Sequence, residues 1–209
     1  DERAADLSAA LDALFDEPAF ADHVDRSRIA SLGFSLGGAT ALNLAGVRFD
    51  PDAFADYCAW IGAGGQDCVF FSKGGVDLNA LPDGFGAELR DERIGQAIAI
   101  DPGMTYAATP ESIAGTDMPV LLINLGEAHL FKAADVGPDG SGLAGKLPSA
   151  VLKTIAPAHH FTFLAECKPE GAAMLAEEKD DPVCDDPEGA DRAAVHEAIV
   201  EEIAAFAGL

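Results

Sequence analysis

Four short apolar segments recur along the chain, and stretches of mixed polarity separate them. Near-continuous apolar strands that alternate with helices are typical of a parallel sheet covered on both faces. The pattern therefore predicts an α/β fold, a single domain over residues 1–209 with about four parallel strands flanked by helices. The predicted strands are residues 28–34, 97–100, 119–125 and 150–155.

Helical spacing of apolar residues predicts the elements between and around these strands. Leucines at positions 7, 11 and 14 predict an amphipathic helix over residues 4–15. Small residues predict a second helix over 37–46, directly behind the first strand. A third helix is predicted over about 190–207, because four apolar residues there fall on one face.

Residues 47–94 are irregular by comparison, with short helical pieces and frequent glycine, aspartate and proline. An excursion of this length between two strands is usually functional rather than a simple connection. We therefore predict a cap-like insertion beside a site. Its aromatic residues Trp60, Phe70 and Phe71 either line a substrate pocket or pack the insertion itself, and the sequence favours neither interpretation.

The chain is strongly acidic, with 36 Asp and Glu against 13 Lys and Arg and a net charge of −23. Such a surface repels nucleic acid and anionic membranes, so neither is expected as a partner. Apolar runs stay shorter than the roughly 18 residues that suggest a membrane span. Cysteine and histidine spacing does not indicate a zinc site, and no metal is expected.

The sequence Gly33-Phe34-Ser35-Leu36-Gly37 has the form Gly-x-Ser-x-Gly, with an apolar strand before it and small helix-forming residues after it. This is the pattern of a nucleophile elbow, in which a sharp strand-to-helix turn projects a reactive serine. Glycines there allow the close approach of neighbouring backbone. An ordinary glycine-rich turn is the alternative, but the flanking elements favour a nucleophile.

A serine nucleophile requires a base, and the base requires an orienting carboxylate. The chain order Ser35, Asp101, His160 matches the Ser–acid–His order of α/β-hydrolases, and each residue follows a predicted strand. His159 is the alternative base. Glu127, after the next strand, is the alternative acid. The backbone N–H of Leu36 is the expected oxyanion donor.

The four cysteines form two pairs that are close in sequence, Cys58 with Cys68 and Cys167 with Cys184. Local pairing would close two small loops and would imply an oxidising compartment, hence a periplasmic or secreted protein. Four cysteines permit three pairings, and four unrelated thiols remain the alternative.

Several of these segments resemble the predicted dienelactone hydrolases, a group of α/β-hydrolase serine hydrolases related to plasma-type platelet-activating-factor acetylhydrolases. The most specific of them is His-Phe-Thr-Phe-Leu-Ala-Glu-Cys at residues 160–167. The resemblance extends over nearly the whole chain through residues 6–14, 33–38, 97–103, 119–123 and 160–167.

The resemblance implies the α/β-hydrolase fold and hydrolysis of short-chain carboxylic esters through a Ser-His-Asp triad. It implies a small-molecule ester substrate and no metal or organic cofactor. It also favours Asp101 over Glu127 as the acid, and implies the pairings Cys58–Cys68 and Cys167–Cys184. A polyester depolymerase or lipase, and a non-catalytic binding module with the same fold, are the competing hypotheses.

The chain departs from this group at one place. Members carry further strands ahead of the first helix, and a loop among them supplies a second oxyanion donor. The resemblance therefore implies that residues 1–209 are the C-terminal part of a longer hydrolase, or that a second chain completes the sheet. Otherwise the strand at 28–34 would have an exposed apolar edge.

Overall fold

A four-stranded parallel sheet forms the centre of the molecule, as the apolar segments predicted. It is seen in a computed structural model that describes residues 2–127, 130–178 and 181–209. The strands lie side by side in chain order. They are β1 (Ala30–Phe34), β2 (Gln96–Ile100), β3 (Val120–Leu125) and β4 (Ala150–Ile155).

Helices cover both faces of the sheet. The predicted helices at 4–15, 37–46 and 190–207 correspond to α1, α3 and α9, with ends shifted by at most two residues. Within the described ranges the α-helices are α1 (Glu2–Asp16), α2 (Pro18–Ala21), α3 (Leu36–Leu44), α4 (Pro51–Ile61), α5 (Gln66–Lys73), α6 (Pro110–Gly115), α7 (Leu143–Lys146), α8 (Gly171–Glu178) and α9 (Arg192–Ala207).

The central strands have apolar runs because both of their faces are buried. Ala97, Ala99 and Leu122 pack in one cluster with α3 and α4. Ile98 and Ile123 point to the opposite face and pack against α9. Each fully buried Leu or Ile side chain stabilises the fold by about 1.5–3 kcal/mol relative to exposure. All six residues of β3 are accordingly buried, and its sequence shows no alternation of apolar and polar residues.

Residues 47–94 connect α3 to β2 and contain α4 and α5, in agreement with the predicted short helical pieces. The buried side chains of Phe49 and Phe54 anchor this insertion in the core that lies on the α3 side. An antiparallel bridge between Phe49 and Ala108 joins it to the segment after β2. The insertion therefore packs against the end of the sheet at which β1 and β2 finish.

β1 is an edge strand. It pairs with β2 on one side, and no strand in the described ranges pairs with its other side. Leu32 in this strand is 51% exposed. Next to it, α1 and β1 border a groove of about 330 Å³, lined by Leu7, Leu11, Ile29 and Leu32 among others. None of the helices described is long and apolar enough to cross a membrane.

Candidate active site

Ser35 lies at the turn between β1 and α3. Its backbone has φ 55° and ψ −120°, an unusual conformation for a residue with a side chain. Such backbone strain persists only where surrounding bonds hold it, and it is concentrated at functional sites. Here the Ser35 N–H donates to the Ile100 carbonyl at 2.9 Å, and the Ser35 carbonyl accepts from the Gly103 N–H at 3.2 Å. The turn is therefore fixed to the segment that follows β2.

Gly33 permits the sharpness of this turn. A Cβ atom on Gly33 would lie 2.0 Å from the Gly37 carbonyl oxygen, far inside van der Waals contact. Backbone cannot move aside as a flexible side chain can. The first glycine of the Gly-x-Ser-x-Gly pattern is therefore required by close backbone approach.

We expect Gly33→Ala to lower the free energy of unfolding by at least about 3 kcal/mol, because the added methyl group overpacks against fixed backbone. Urea unfolding followed by circular dichroism measures this. Gly37→Ala is the matched control, because a Cβ there meets no atom within 4 Å and alanine favours the helix. Equal stability of the two variants would contradict this account of the turn.

His160 bridges the serine and the carboxylate predicted to act with it. Its Nε2 lies 3.1 Å from the Ser35 Oγ, and its Nδ1 lies 3.0 Å from the Asp101 Oδ2. The three residues are thus joined in series although they are separated by up to 125 positions. With the proton on Nδ1, the imidazole donates to Asp101, and Nε2 is free to accept the serine proton.

Asp101 is completely buried, at 0% exposure, directly after β2. Its Oδ1 accepts a 2.7 Å hydrogen bond from the Leu125 N–H, so both carboxylate oxygens have partners. Burial raises the pKa of Asp101, and the hydrogen bond from His160 acts in the opposite direction. A carboxylate held in this way fixes the orientation and tautomer of the imidazole.

The alternative acid and base occupy other positions. Glu127 is exposed, and Asp101 makes the hydrogen bond to His160. His159 caps the short 3-10 helix that carries His160, and its Nδ1 accepts the Phe161 N–H at 3.0 Å. The other ring nitrogen of His159 contacts the Asp185 carbonyl oxygen. Both nitrogens of His159 are thus engaged in holding the loop.

Two aromatic rings enclose the His160 imidazole. Phe131 stacks on it at 4.6 Å between centroids and 7° between planes, and Phe34 packs against it at 4.5 Å. Sequence reasoning missed both contacts. Phe34 stands next to the serine in the motif and could have been found there. Phe131 lies outside any periodic pattern and carries no comparable signal.

Leu36 is the first residue of α3, so its N–H has no carbonyl one turn earlier in the helix to which it could donate. It directly follows the serine and lies at the positive end of the helix dipole. This N–H is thus suited to donate to an oxyanion on a carbonyl group that lies beside the Ser35 Oγ.

The three aromatic side chains singled out in the insertion have different surroundings. Phe71 packs edge-on against Phe54, which assigns Phe71 to packing of the insertion. Phe70 is largely exposed. Trp60 is 70% exposed, and the Lys132 ammonium lies 5.7 Å from its ring. Because Lys132 follows Phe131, Trp60 lies beside the segment that covers His160.

A half-buried carboxylate also fixes the insertion to the segment after β2. Asp67 accepts hydrogen bonds from the Tyr57 hydroxyl at 3.3 Å and the Met104 N–H at 3.4 Å. Burial raises the pKa of Asp67, which its hydrogen bonds oppose. Tyr57 in turn stacks on Tyr106 at 4.3 Å. These contacts set the position of α4 and α5 relative to the end of β2.

Both predicted cysteine pairings are present: Cys58 is bonded to Cys68, and Cys167 is bonded to Cys184. The first bond joins α4 to α5 within the insertion. Among residues 2–127, 130–178 and 181–209, no group of three or more His, Cys, Asp or Glu side chains could hold a metal ion.

Comparison of the chain with known protein families, with curated proteins and with solved structures found no match.

Proposed function

We propose that this protein is a serine esterase of the α/β-hydrolase type that cleaves short-chain carboxylic esters. The observation that carries the proposal is the continuous series of hydrogen bonds from the Ser35 Oγ through His160 to Asp101. The position of Ser35 at a strained strand-to-helix turn supports the same interpretation.

In the first half of the reaction the Ser35 Oγ attacks the ester carbonyl carbon while His160 Nε2 takes the hydroxyl proton. The carbonyl electron pair moves to oxygen, and the Leu36 N–H donates to that oxyanion. Asp101 stabilises the imidazolium that forms. When the intermediate collapses, the bond to the alcohol oxygen breaks, and His160 returns the proton to the leaving alcohol.

The second half repeats this chemistry with water in place of serine. His160 takes a proton from water, whose oxygen attacks the acyl carbon bound to Ser35. Collapse then breaks the acyl–Oγ bond and releases a carboxylic acid, and the proton on His160 restores the serine hydroxyl. Nucleophile, base and orienting carboxylate are all side chains of this chain, so the proposed cycle calls for neither metal nor organic cofactor.

A second oxyanion donor is part of the proposal. We assign it to a further strand and its loop, from another part of the natural polypeptide or from a second chain, paired with the side of β1 on which no described strand lies. The exposed Leu32 and the adjoining apolar groove support this assignment. Loss of one oxyanion donor costs roughly 10²–10³ in kcat, so its contribution is substantial.

The two disulfides support a periplasmic or secreted location, because such bonds persist in oxidising compartments. The insertion is held to the segment after β2 by Asp67, and we propose that it limits the substrate to small soluble esters. The strongly negative surface favours neither nucleic acid nor anionic membranes as partners.

Rates on p-nitrophenyl esters of increasing acyl length test the proposed substrate class. We expect kcat/KM for the butyrate ester to exceed that for the palmitate ester by about tenfold or more. A preference for palmitate, or for polyester film, would instead identify a lipase or a polyester depolymerase. Absence of turnover on every ester by the folded full-length protein would favour a non-catalytic binding module.

A further inference from the structure

The short 3-10 helix that carries His160 is held from a part of the chain distant in sequence. Thr162 within this helix is 0% exposed. Its hydroxyl oxygen accepts the His159 N–H at 3.0 Å, and its O–H donates to the Asp186 Oδ1 at 2.8 Å. The buried hydroxyl of Thr162 therefore connects the short helix that carries His160 to Asp186.

Arg192 in turn holds Asp186 with two hydrogen bonds. Its Nε and Nη2 lie 2.9 Å from the two carboxylate oxygens, a bidentate geometry that fixes both position and plane. Arg192 is only 7% exposed. It also donates to the Val183 carbonyl at 2.9 Å and to the Ala165 carbonyl at 3.0 Å. Arg192 thus joins α9 to both ends of the segment closed by the disulfide.

The neighbouring contacts reinforce this connection. His159 contacts the Asp185 carbonyl, so the consecutive residues Asp185 and Asp186 both bind the short helix that carries His160 or its cap. The disulfide Cys167–Cys184 closes the intervening loop immediately beside them. Partial burial alone would raise the pKa of Asp186, but hydrogen bonds from Arg192 and Thr162, with the nearby charge of Arg192, hold that pKa below its ordinary value.

We propose that Asp186, held by Arg192, is a positioning residue that keeps His160 within hydrogen-bond reach of Ser35 by acting through Thr162. This inference rests on the proposed esterase function. Its physical basis is the sensitivity of proton transfer to geometry, since a misplacement of about 1 Å by a distant change can cost about 100-fold in rate.

Asp186→Ala tests the proposal, with Thr162→Val as a second variant that removes the connecting hydroxyl. We expect kcat on p-nitrophenyl butyrate to fall about 100-fold in each, with KM unchanged, because the imidazole loses its position while the binding surface stays intact. Thr162→Ser keeps the hydroxyl and should retain most of the activity. In the double variant the two losses should not add, because both break one connection.

Asp91→Asn provides the matched control for lost stability. Asp91 accepts hydrogen bonds from Ser8 and Arg93 and fixes α1, away from His160. We expect this variant to unfold at lower temperature but to keep its kcat while folded. If Asp186→Ala changed kcat no more than Asp91→Asn does, the proposal would be overturned.

A turnover-independent readout separates this proposal from the proposed function. The Nδ1 proton shared between His160 and Asp101 should give a strongly downfield proton NMR signal in the wild type. We expect folded Asp186→Ala to lose or broaden it. If the wild type hydrolyses no ester but Asp186→Ala still loses the signal, the esterase function fails and the positioning role stands. An unchanged signal in Asp186→Ala would refute the positioning role.

Discussion

Ser35→Ala should lower kcat for hydrolysis of short esters by about 10⁶-fold, the loss typical when a serine nucleophile is removed. The variant lacks the oxygen that forms the acyl bond, so no acyl-enzyme can form. The Ser35 side chain makes its hydrogen bond to His160, and the turn itself is held by backbone bonds. The fold should therefore persist, which circular dichroism can verify.

Ser27→Ala is the control for Ser35→Ala. Ser27 is exposed, and its hydroxyl donates to Asp25 ahead of β1. Its replacement should leave kcat and KM on p-nitrophenyl butyrate unchanged. If purified Ser35→Ala hydrolysed the ester at a rate similar to that of Ser27→Ala, the attacking group would be one other than Ser35.

Asp101→Asn should lower kcat by about 10⁴-fold while leaving the geometry of the site nearly intact. The amide nitrogen of asparagine donates a hydrogen bond toward Nδ1 of His160, which places the imidazole proton on Nε2. That nitrogen then cannot accept the serine proton. The same variant removes the negative charge that stabilises the imidazolium during the reaction.

Glu127→Gln tests the alternative acid directly. Because Glu127 is exposed and Asp101 makes the bond to His160, we expect this variant to keep the wild-type kcat. Steady-state rates on p-nitrophenyl butyrate, measured for both carboxylate variants, check the two expectations together. A larger loss in Glu127→Gln than in Asp101→Asn would reverse the assignment of the acid.

The sheet and the main helices could be predicted from sequence because their signals are local. Each strand is a short apolar run, and its two-sided burial explains the absence of alternation in β2 and β3. The Ser35 turn could be predicted because close backbone approach requires glycine at position 33. The short helices α6, α7 and α8 were not predicted, since so few turns give little periodicity.

The choice between acids was harder, because Asp101 and Glu127 both follow strands that lie side by side in the sheet. Because β2 and β3 are parallel, both carboxylates lie at the same end of the sheet, where the strands finish. Only the path of the segment that carries His160 decides which of them it meets. Asp186 and Arg192 were missed for a related reason. Their contacts to Thr162 and Ala165 span more than twenty positions without any repeating pattern.

Covalent labelling with a serine-directed fluorophosphonate tests the esterase mechanism most directly. Intact and peptide masses of the full-length protein, taken alongside residual turnover of p-nitrophenyl butyrate, give the answer. We expect one phosphonyl adduct on the peptide that contains Ser35, with activity lost in proportion to labelling. Ester hydrolysis that continues at full rate after complete labelling of Ser35, or an inactivating adduct on another residue, would contradict it.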